Sequence, residues 1–388
     1  MFCKVLVMTN TVEQQYSSFI PPVRTLMGPG PSDVSPTVLN ALARPTLGHL
    51  DPTFIQLMDE TKQLLQYAFQ TKNKLTMPIS APGSAGMEAC VVNLVEPGET
   101  VIVCQNGVFG GRMAENVKRC GGIVVIVEAP WGEANSIASI EAALTAHPEA
   151  KFVGFVHAET STGVRNDAQA ICALAREYGC MTIVDAVTSL GGIELKVDEW
   201  GIDAIYSGSQ KCLSCVPGLS PVSFSDAAVA KIQARSTPVQ SWFLDMNLIV
   251  GYWGDGQGGG KRAYHHTAPV NSLYALHESL RLLHAEGLNN AINRHASMHE
   301  KLKHGLASIG LELLVTEDIR LPQLNTVIIP DGVDDAQIRA RLLNEFNLEI
   351  GAGLGALAGK VWRIGLMGFA ASDKNIDFCV ASLKKVLS

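Results

Sequence analysis

Ala204-Ile205-Tyr206-Ser207-Gly208-Ser209-Gln210-Lys211-Cys212-Leu213 is the stretch on which the reading of this fold turns. Three apolar, β-prone residues give way to small polar ones, and a lysine stands just past the end of the strand. In an open α/β sheet, ligands bind at the carboxyl ends of the strands. A lysine held there among small and apolar neighbours is partly desolvated, which lowers its pKa and frees the amine as a nucleophile toward carbonyl carbon. The same ten residues also fit a surface lysine that happens to follow a strand, so the flanking sequence has to decide.

On the N-terminal side, strand-like and helical patterns alternate. Residues 101–104 read as a strand, 113–120 as a helix, 123–127 as a strand, 137–146 as a helix and 152–156 as a strand. A helix over 168–178 then leads to Thr182-Ile183-Val184-Asp185, the strand before the lysine strand. Such alternation implies an α/β fold with a mostly parallel central sheet and helices on both faces. Polar residues gather where these strands end: Asn106, His157, Glu159, Thr160, Asp185, Ser207, Gln210 and Lys211. Further upstream, Ile79-Ser80-Ala81-Pro82-Gly83-Ser84-Ala85 ends a short strand and opens a helix to about residue 95, with Ser84 expected as its cap. The N–H groups and dipole at such a helix start attract anions, although an ordinary capped helix reads the same way. A helix over 51–69 leads into this region, and before it Met27-Gly28-Pro29-Gly30-Pro31-Ser32 is a rigid turn that brings backbone close to a neighbour.

Beyond residue 273 the pattern changes. A helical tract over 274–309, kinked at Gly287, precedes strands at 311–315, 326–329 and 362–366 and helices at 336–346 and 375–386. The expected organisation is an N-terminal arm (1–25), a large domain (26–283) and a smaller α+β C-terminal domain (284–388).

Composition narrows the class. The chain has 388 residues, of which 17% are charged and 47% apolar, as suits a compact enzyme that also buries an oligomer interface. With a net charge of −7 and no basic run, neither nucleic acid nor an anionic membrane is an expected partner. The apolar residues 1–8 are too few for a signal segment, no later run reaches membrane-span length, and the expected location is cytoplasmic. Nine cysteines without framework spacing read as buried, reduced thiols. Cys212 and Cys215 have C-x-x-C spacing but lack a second ligand pair, and read as packing residues. The glycine-rich stretches 254–261 and 351–356 fail the phosphate-loop and dinucleotide patterns and are expected as flexible loops. In Tyr264-His265-His266 the adjacent imidazoles point apart, which disfavours a metal.

Asp185 and Lys211 end successive strands and can reach one pocket. That pairing suits pyridoxal 5'-phosphate, which withdraws electrons only while its pyridine nitrogen is protonated; a buried carboxylate against that nitrogen holds the proton. A lysine, an aspartate and an anion site meet the cofactor's three demands.

At this point the chain resembles the class V aminotransferases, a branch of the fold-type I pyridoxal-phosphate enzymes, and within them the alanine–glyoxylate and serine–pyruvate aminotransferase family. The motifs that carry the resemblance run from Gly28-Pro29-Gly30-Pro31-Ser32 to Val361-Trp362-Arg363-Ile364-Gly365-Leu366. Between them lie Ser161-Thr162-Gly163-Val164, Val184-Asp185-Ala186-Val187-Thr188-Ser189-Leu190-Gly191-Gly192, Ser207-Gly208-Ser209-Gln210-Lys211 and Tyr264-His265-His266-Thr267. The resemblance implies that Lys211 holds the cofactor covalently and later shuttles the Cα proton, while Asp185 pairs with the pyridinium. It places Val187 on one face of the ring, Phe109 on the other where relatives often carry tryptophan, and Thr160 near the ring hydroxyl. The backbone at Gly83, Ser84 and Ala85 would hold the phosphate with help from Gln210. Tyr264 and Thr267 would reach the phosphate of a partner subunit, making the active unit a homodimer with shared sites. Arg363 would clamp the substrate carboxylate, with Gly28 lining the same pocket. The implied reaction moves an amino group from alanine or serine to glyoxylate in two half-reactions. Serine–glyoxylate, ureidoglycine–glyoxylate and pyridoxamine–pyruvate aminotransferases are alternatives. A cysteine desulfurase fits less well, since such enzymes carry histidine where this chain has Gln210 and Phe109.

Overall fold

The computed structural model describes residues 16–254 and 262–388. The start of the expected arm, and the glycine-rich stretch after Gly254, lie outside the described residues.

Thr25–Leu26 (β1) precedes Pro36–Leu42 (α1) and Pro52–Phe69 (α2). α2 begins where the sequence predicts: Asp51 accepts from the Thr53 N–H (2.8 Å), and a proline fills the first turn, where its missing donor is not needed. Leu75–Ile79 (β2) leads to Gly83–Leu94 (α3), Thr100–Gln105 (β3) to Val108–Arg119 (α4), and Ile123–Glu128 (β4) to Ile137–Ala146 (α5). Phe152–Val156 (β5) passes through the antiparallel pair Ala158–Glu159 (β6) and Val164–Arg165 (β7) into Ala168–Glu177 (α6). Met181–Asp185 (β8), Val197–Trp200 (α7), Ala204–Tyr206 (β9), Ser220–Phe224 (β10), Asp226–Gln233 (α8) and Met246–Trp253 (α9) follow.

Seven of these strands form one sheet in the order β2-β10-β9-β8-β5-β3-β4. Neighbours run parallel except β10, which is antiparallel to both β2 and β9. The sequence reading has no strand at β10, where a proline argues against a strand inside a sheet. Tertiary contacts rescue it. Pro221 stands opposite Pro78, so both missing donors fall at one rung, and the buried Ser220 hydroxyl donates to the Ser207 carbonyl (2.6 Å).

The C-terminal part comprises Val270–Glu286 (α10), Leu288–Ala307 (α11), Leu324–Ile328 (β11), Asp335–Phe346 (α12), Leu348–Glu349 (β12), Gly351–Ala352 (β13), Val361–Gly365 (β14) and Asp373–Leu387 (α13). Strands β11-β14-β13 make an antiparallel sheet. Its apolar face joins α11, α12 and α13 in a second core around Leu302, Leu306, Leu342, Trp362, Ile364 and Leu383.

Several expectations are corrected. The long tract is two helices, separated at Gly287 (φ +86°). Residues 311–315 make only an isolated bridge, Leu313 to Val327. Residues 351–356 are not simply a loop, since Gly351 pairs with Arg363 in the sheet. Residues 25–27 contact the C-terminal part: β1 pairs in parallel with β12, the Gly365 N–H donates to the Met27 carbonyl (2.8 Å), and Met27 is buried in the second core. Pro82, not Ser84, occupies the cap position of α3, with Gly83 and Ser84 already helical. The eight described cysteines are buried and unpaired, Cys212 and Cys215 among them.

Candidate active site

β8 and β9 pair in register so that Asp185 stands beside Tyr206, at the carboxyl ends of two adjacent parallel strands. The chain then turns through Ser207–Lys211 in a loop pinned at each step. Ser207 Oγ donates to the Ala186 carbonyl (2.9 Å), Ser209 Oγ to the Val216 carbonyl (2.6 Å), and Ser32 Oγ to the Lys211 carbonyl (2.9 Å). These bonds explain the run of small hydroxyl residues: each ties backbone that no ladder reaches. Lys211 is delivered buried, and its Nζ donates to the Pro29 carbonyl. Burial, and then the nearby Arg363 charge, lower its pKa to about 8.

Asp185 is equally enclosed. Its Oδ1 accepts from the Val187 N–H and its Oδ2 from the Tyr206 hydroxyl, both at 2.8 Å. Burial raises its pKa to about 6, against the opposing pull of those two donors. Tyr206 is fully buried, and its hydroxyl was not among the expected site groups. Glu159, one of the strand-end polar residues but given no role by the sequence, has its carboxyl held above the ordinary range by burial while it accepts from the N–H groups of Phe109, Gly110 and Ser161. Arg363 comes from β14 of the C-terminal part. Its Nε donates to the Ala352 carbonyl (2.7 Å) and its Nη1 to the Thr160 carbonyl (3.1 Å), which leaves Nη2 without a hydrogen bond among the described residues. Burial lowers its pKa to about 10.

A cavity of about 210 Å³ lies over these strand ends. Of the expected residues, Gly83, Ser84, Phe109, Thr160, Asp185, Val187, Gln210 and Lys211 line it; Tyr206 and Arg112 join them unannounced. Ala85 does not: its N–H turns back to the Pro82 carbonyl (2.7 Å). Gly28 and Arg363 are also absent from the wall, Gly28 being buried between Gly351 and Gly365, while Gly30 and Pro31 take part. Gly30 is required there, because its φ is +103° and a side chain would lie 2.7 Å from Lys211 Cδ. Tyr264 and Thr267 lie away from this chain's cavity, exposed, with their hydroxyls 3.5 Å apart. Of the other strand-end polar groups, Asn106 bonds to the Glu133 carbonyl, and His157 packs edge-on against Trp200 with burial lowering its pKa to about 3. Among the described residues no cluster of His, Cys, Asp and Glu is placed to hold a metal ion.

The wall thus combines a buried carboxylate, a primary amine of lowered pKa and an aromatic ring. At one side the N–H groups of Gly83 and Ser84 have no acceptor among the described residues. A side chain at Gly83 would lie 3.1 Å from Val187 Cγ2 and crowd it. These residues fit pyridoxal phosphate: a partner for a pyridinium, an amine for an aldehyde and N–H donors for an ester phosphate.

Comparison with known proteins agrees. Residues 37–386 match the family model described as aminotransferase class-V. The chain is 41% identical over 369 residues to an alanine–glyoxylate aminotransferase of Drosophila melanogaster, covering 94% of this chain and 93% of that protein. It is 36% identical over 384 residues to the (S)-ureidoglycine–glyoxylate transaminase of Bacillus subtilis (strain 168), covering 94% and 91%. The crystal structure of an alanine–glyoxylate aminotransferase from Nostoc sp. superposes with a TM-score of 0.94 at 47% identity, covering 98% of this chain and all of that one.

Proposed function

The chain belongs to the class V aminotransferases, and from that premise we propose that it transfers an amino group from a small amino acid, alanine or serine, to glyoxylate. The enzyme class and its pyridoxal-phosphate cofactor come with the family. The observation that carries the substrate reading is Arg363, which donates to the carbonyl of Thr160 on the chamber wall and keeps Nη2 free of hydrogen bonds among the described residues. One guanidinium with a free nitrogen suits one carboxylate, as a small amino acid and glyoxylate each carry. The relatives that use glyoxylate by name support the acceptor. (S)-Ureidoglycine, the donor named for the B. subtilis relative, is the second reading.

Bound in this chamber, pyridoxal phosphate would supply an electron sink for the electron pair left on Cα when its proton departs. Asp185 keeps a proton on the pyridine nitrogen by charge pairing, with Tyr206 and the Val187 N–H stabilising its carboxylate form. Lys211, its pKa near 8, can both release and take up the Cα proton close to neutral pH. Arg363 orients the carboxylate, and Phe109 and Val187 keep water from the ring. Tyr264 and Thr267, exposed on one side of the molecule, complete the site of a second subunit in a homodimer. The test is a panel of amino donors against glyoxylate and pyruvate, together with borohydride reduction and peptide mapping. Alanine or serine with glyoxylate should be the best pair, and the cofactor should be fixed on Lys211. A label on another lysine, or a preference for long donors, would refute the reading.

A further inference from the structure

Arg112 stands on the second turn of α4, at the rim of the cavity. Its Nη1 donates to Ser84 Oγ (3.0 Å), and its guanidinium carbon lies 4.9 Å from the centre of the Phe109 ring. No carboxylate forms an ion pair with it among the described residues. Lys211 and Arg112 are the two cations on the cavity wall, and Asp185 is its one acid. The lysine amine is taken up by the Pro29 carbonyl. Arg112 thus stands at the rim without a carboxylate partner, beside the hydroxyl of Ser84, whose own N–H has no acceptor among the described residues.

A phosphate monoester carries a charge of about −1.5 to −2 near neutral pH, while a helix start offers the equivalent of roughly half a positive charge. The α3 N–H groups can orient such an ester but leave most of its charge unmatched. A guanidinium presents donors in a fork that suits phosphate oxygens. Arg112 is exposed at the rim, and the Ser84 hydroxyl and the Phe109 face set its guanidinium beside the start of α3.

We propose that Arg112 is a phosphate-binding residue of the cofactor site, donating to the ester oxygens beside the Gly83 and Ser84 N–H groups. The inference rests on the pyridoxal-phosphate reading above, and it gives α4 two duties at the cavity: Phe109 meets the ring and Arg112 the phosphate.

The test uses the full-length apoprotein, titrated by absorbance with pyridoxal phosphate and with pyridoxal, which has the same ring and aldehyde but no phosphate. Arg112→Gln should weaken pyridoxal-phosphate binding roughly 10- to 100-fold. It should leave pyridoxal binding within about two-fold. Arg112→Lys, which keeps the charge without the fork, should recover part of the loss. Equal losses for both ligands would mean that Arg112 merely supports Phe109, and an unchanged affinity for pyridoxal phosphate would mean that the phosphate is held without it; either result overturns the proposal. A wild-type protein that captures neither ligand would overturn the cofactor reading itself, so the two failures are told apart.

Discussion

Lys211 and Asp185 are pushed toward each other on the pH scale by one cause, the loss of water around both. Burial disfavours the ammonium and the carboxylate alike, so the lysine falls to about 8 and the aspartate rises to about 6. Because the neutral amine is the nucleophile, capture of pyridoxal phosphate by the apoprotein should quicken with rising pH and reach half its limit near pH 8. Arg363→Gln should shift that midpoint upward, since the arginine charge helps to hold Lys211 low. Stopped-flow absorbance across pH 6–10 measures both; a wild-type rate still climbing at pH 10 would contradict the burial argument. Tyr206 acts on the other group. Its hydroxyl favours the carboxylate form of Asp185, so Tyr206→Phe should raise the aspartate pKa above about 6. The variant should lose affinity for pyridoxal phosphate roughly 3- to 10-fold at pH 6.5 and much less at pH 8.5. A loss equal at both pH values would assign Tyr206 to packing alone.

At the scale of elements, α4 shows how a helix can begin without a local signal. Its cap position is Gly107, which has no side chain to offer. Glu159, on β6, reaches across instead: its Oε2 accepts from Phe109 (3.1 Å) and Gly110 (3.4 Å) and its Oε1 from the Ser161 hydroxyl (2.6 Å), which in turn accepts from the Val108 N–H (3.0 Å). A side chain at residue 107 would collide with this carboxyl, so glycine and glutamate specify one another. The sequence reading starts the helix near residue 113 because the cap comes from 50 residues away. Glu159→Gln replaces one accepting oxygen with a donor facing other donors. It should cost about 1–3 kcal/mol, seen as a fall of a few degrees in the Tm of the apoprotein. Affinity for pyridoxal phosphate should fall with it, since Phe109 and Arg112 ride on this helix. An unchanged Tm would show that the four contacts are replaceable by solvent.

For the whole molecule, the question is what covers the exposed side chains between residues 242 and 264. Trp242 is 61% exposed and Tyr264 62%, with Leu248 and Val250 also open to solvent. Apolar groups gathered in this way suit an interface with a second copy. If sites are shared, Lys211→Ala and Tyr264→Phe/Thr267→Ala chains should each be nearly inactive alone. Mixed heterodimers should recover activity, because one of their two sites then draws only on intact groups. Heterodimers shown to form but remaining inactive would assign each site to a single chain.

Much of this architecture was legible in the residues. Strands buried on both faces must be apolar throughout, so β3, β5 and β8 are written as plain apolar runs, and the polar residues that interrupt such runs mark the strand ends where Asp185 and Lys211 stand. What tertiary structure alone decided is every contact made across a long sequence separation. Arg363 meets Thr160 across 203 positions, Ser220 satisfies β10 inside the sheet, and Met27, just past β1, joins a core built by the other end of the chain. Periodicity reports which face of an element is buried, whereas a hydrogen bond between distant elements depends on where the fold sets them down. The Tyr206 hydroxyl on Asp185 and the Arg112 guanidinium beside Ser84 therefore emerge only once β9 lies against β8 and α4 against α3.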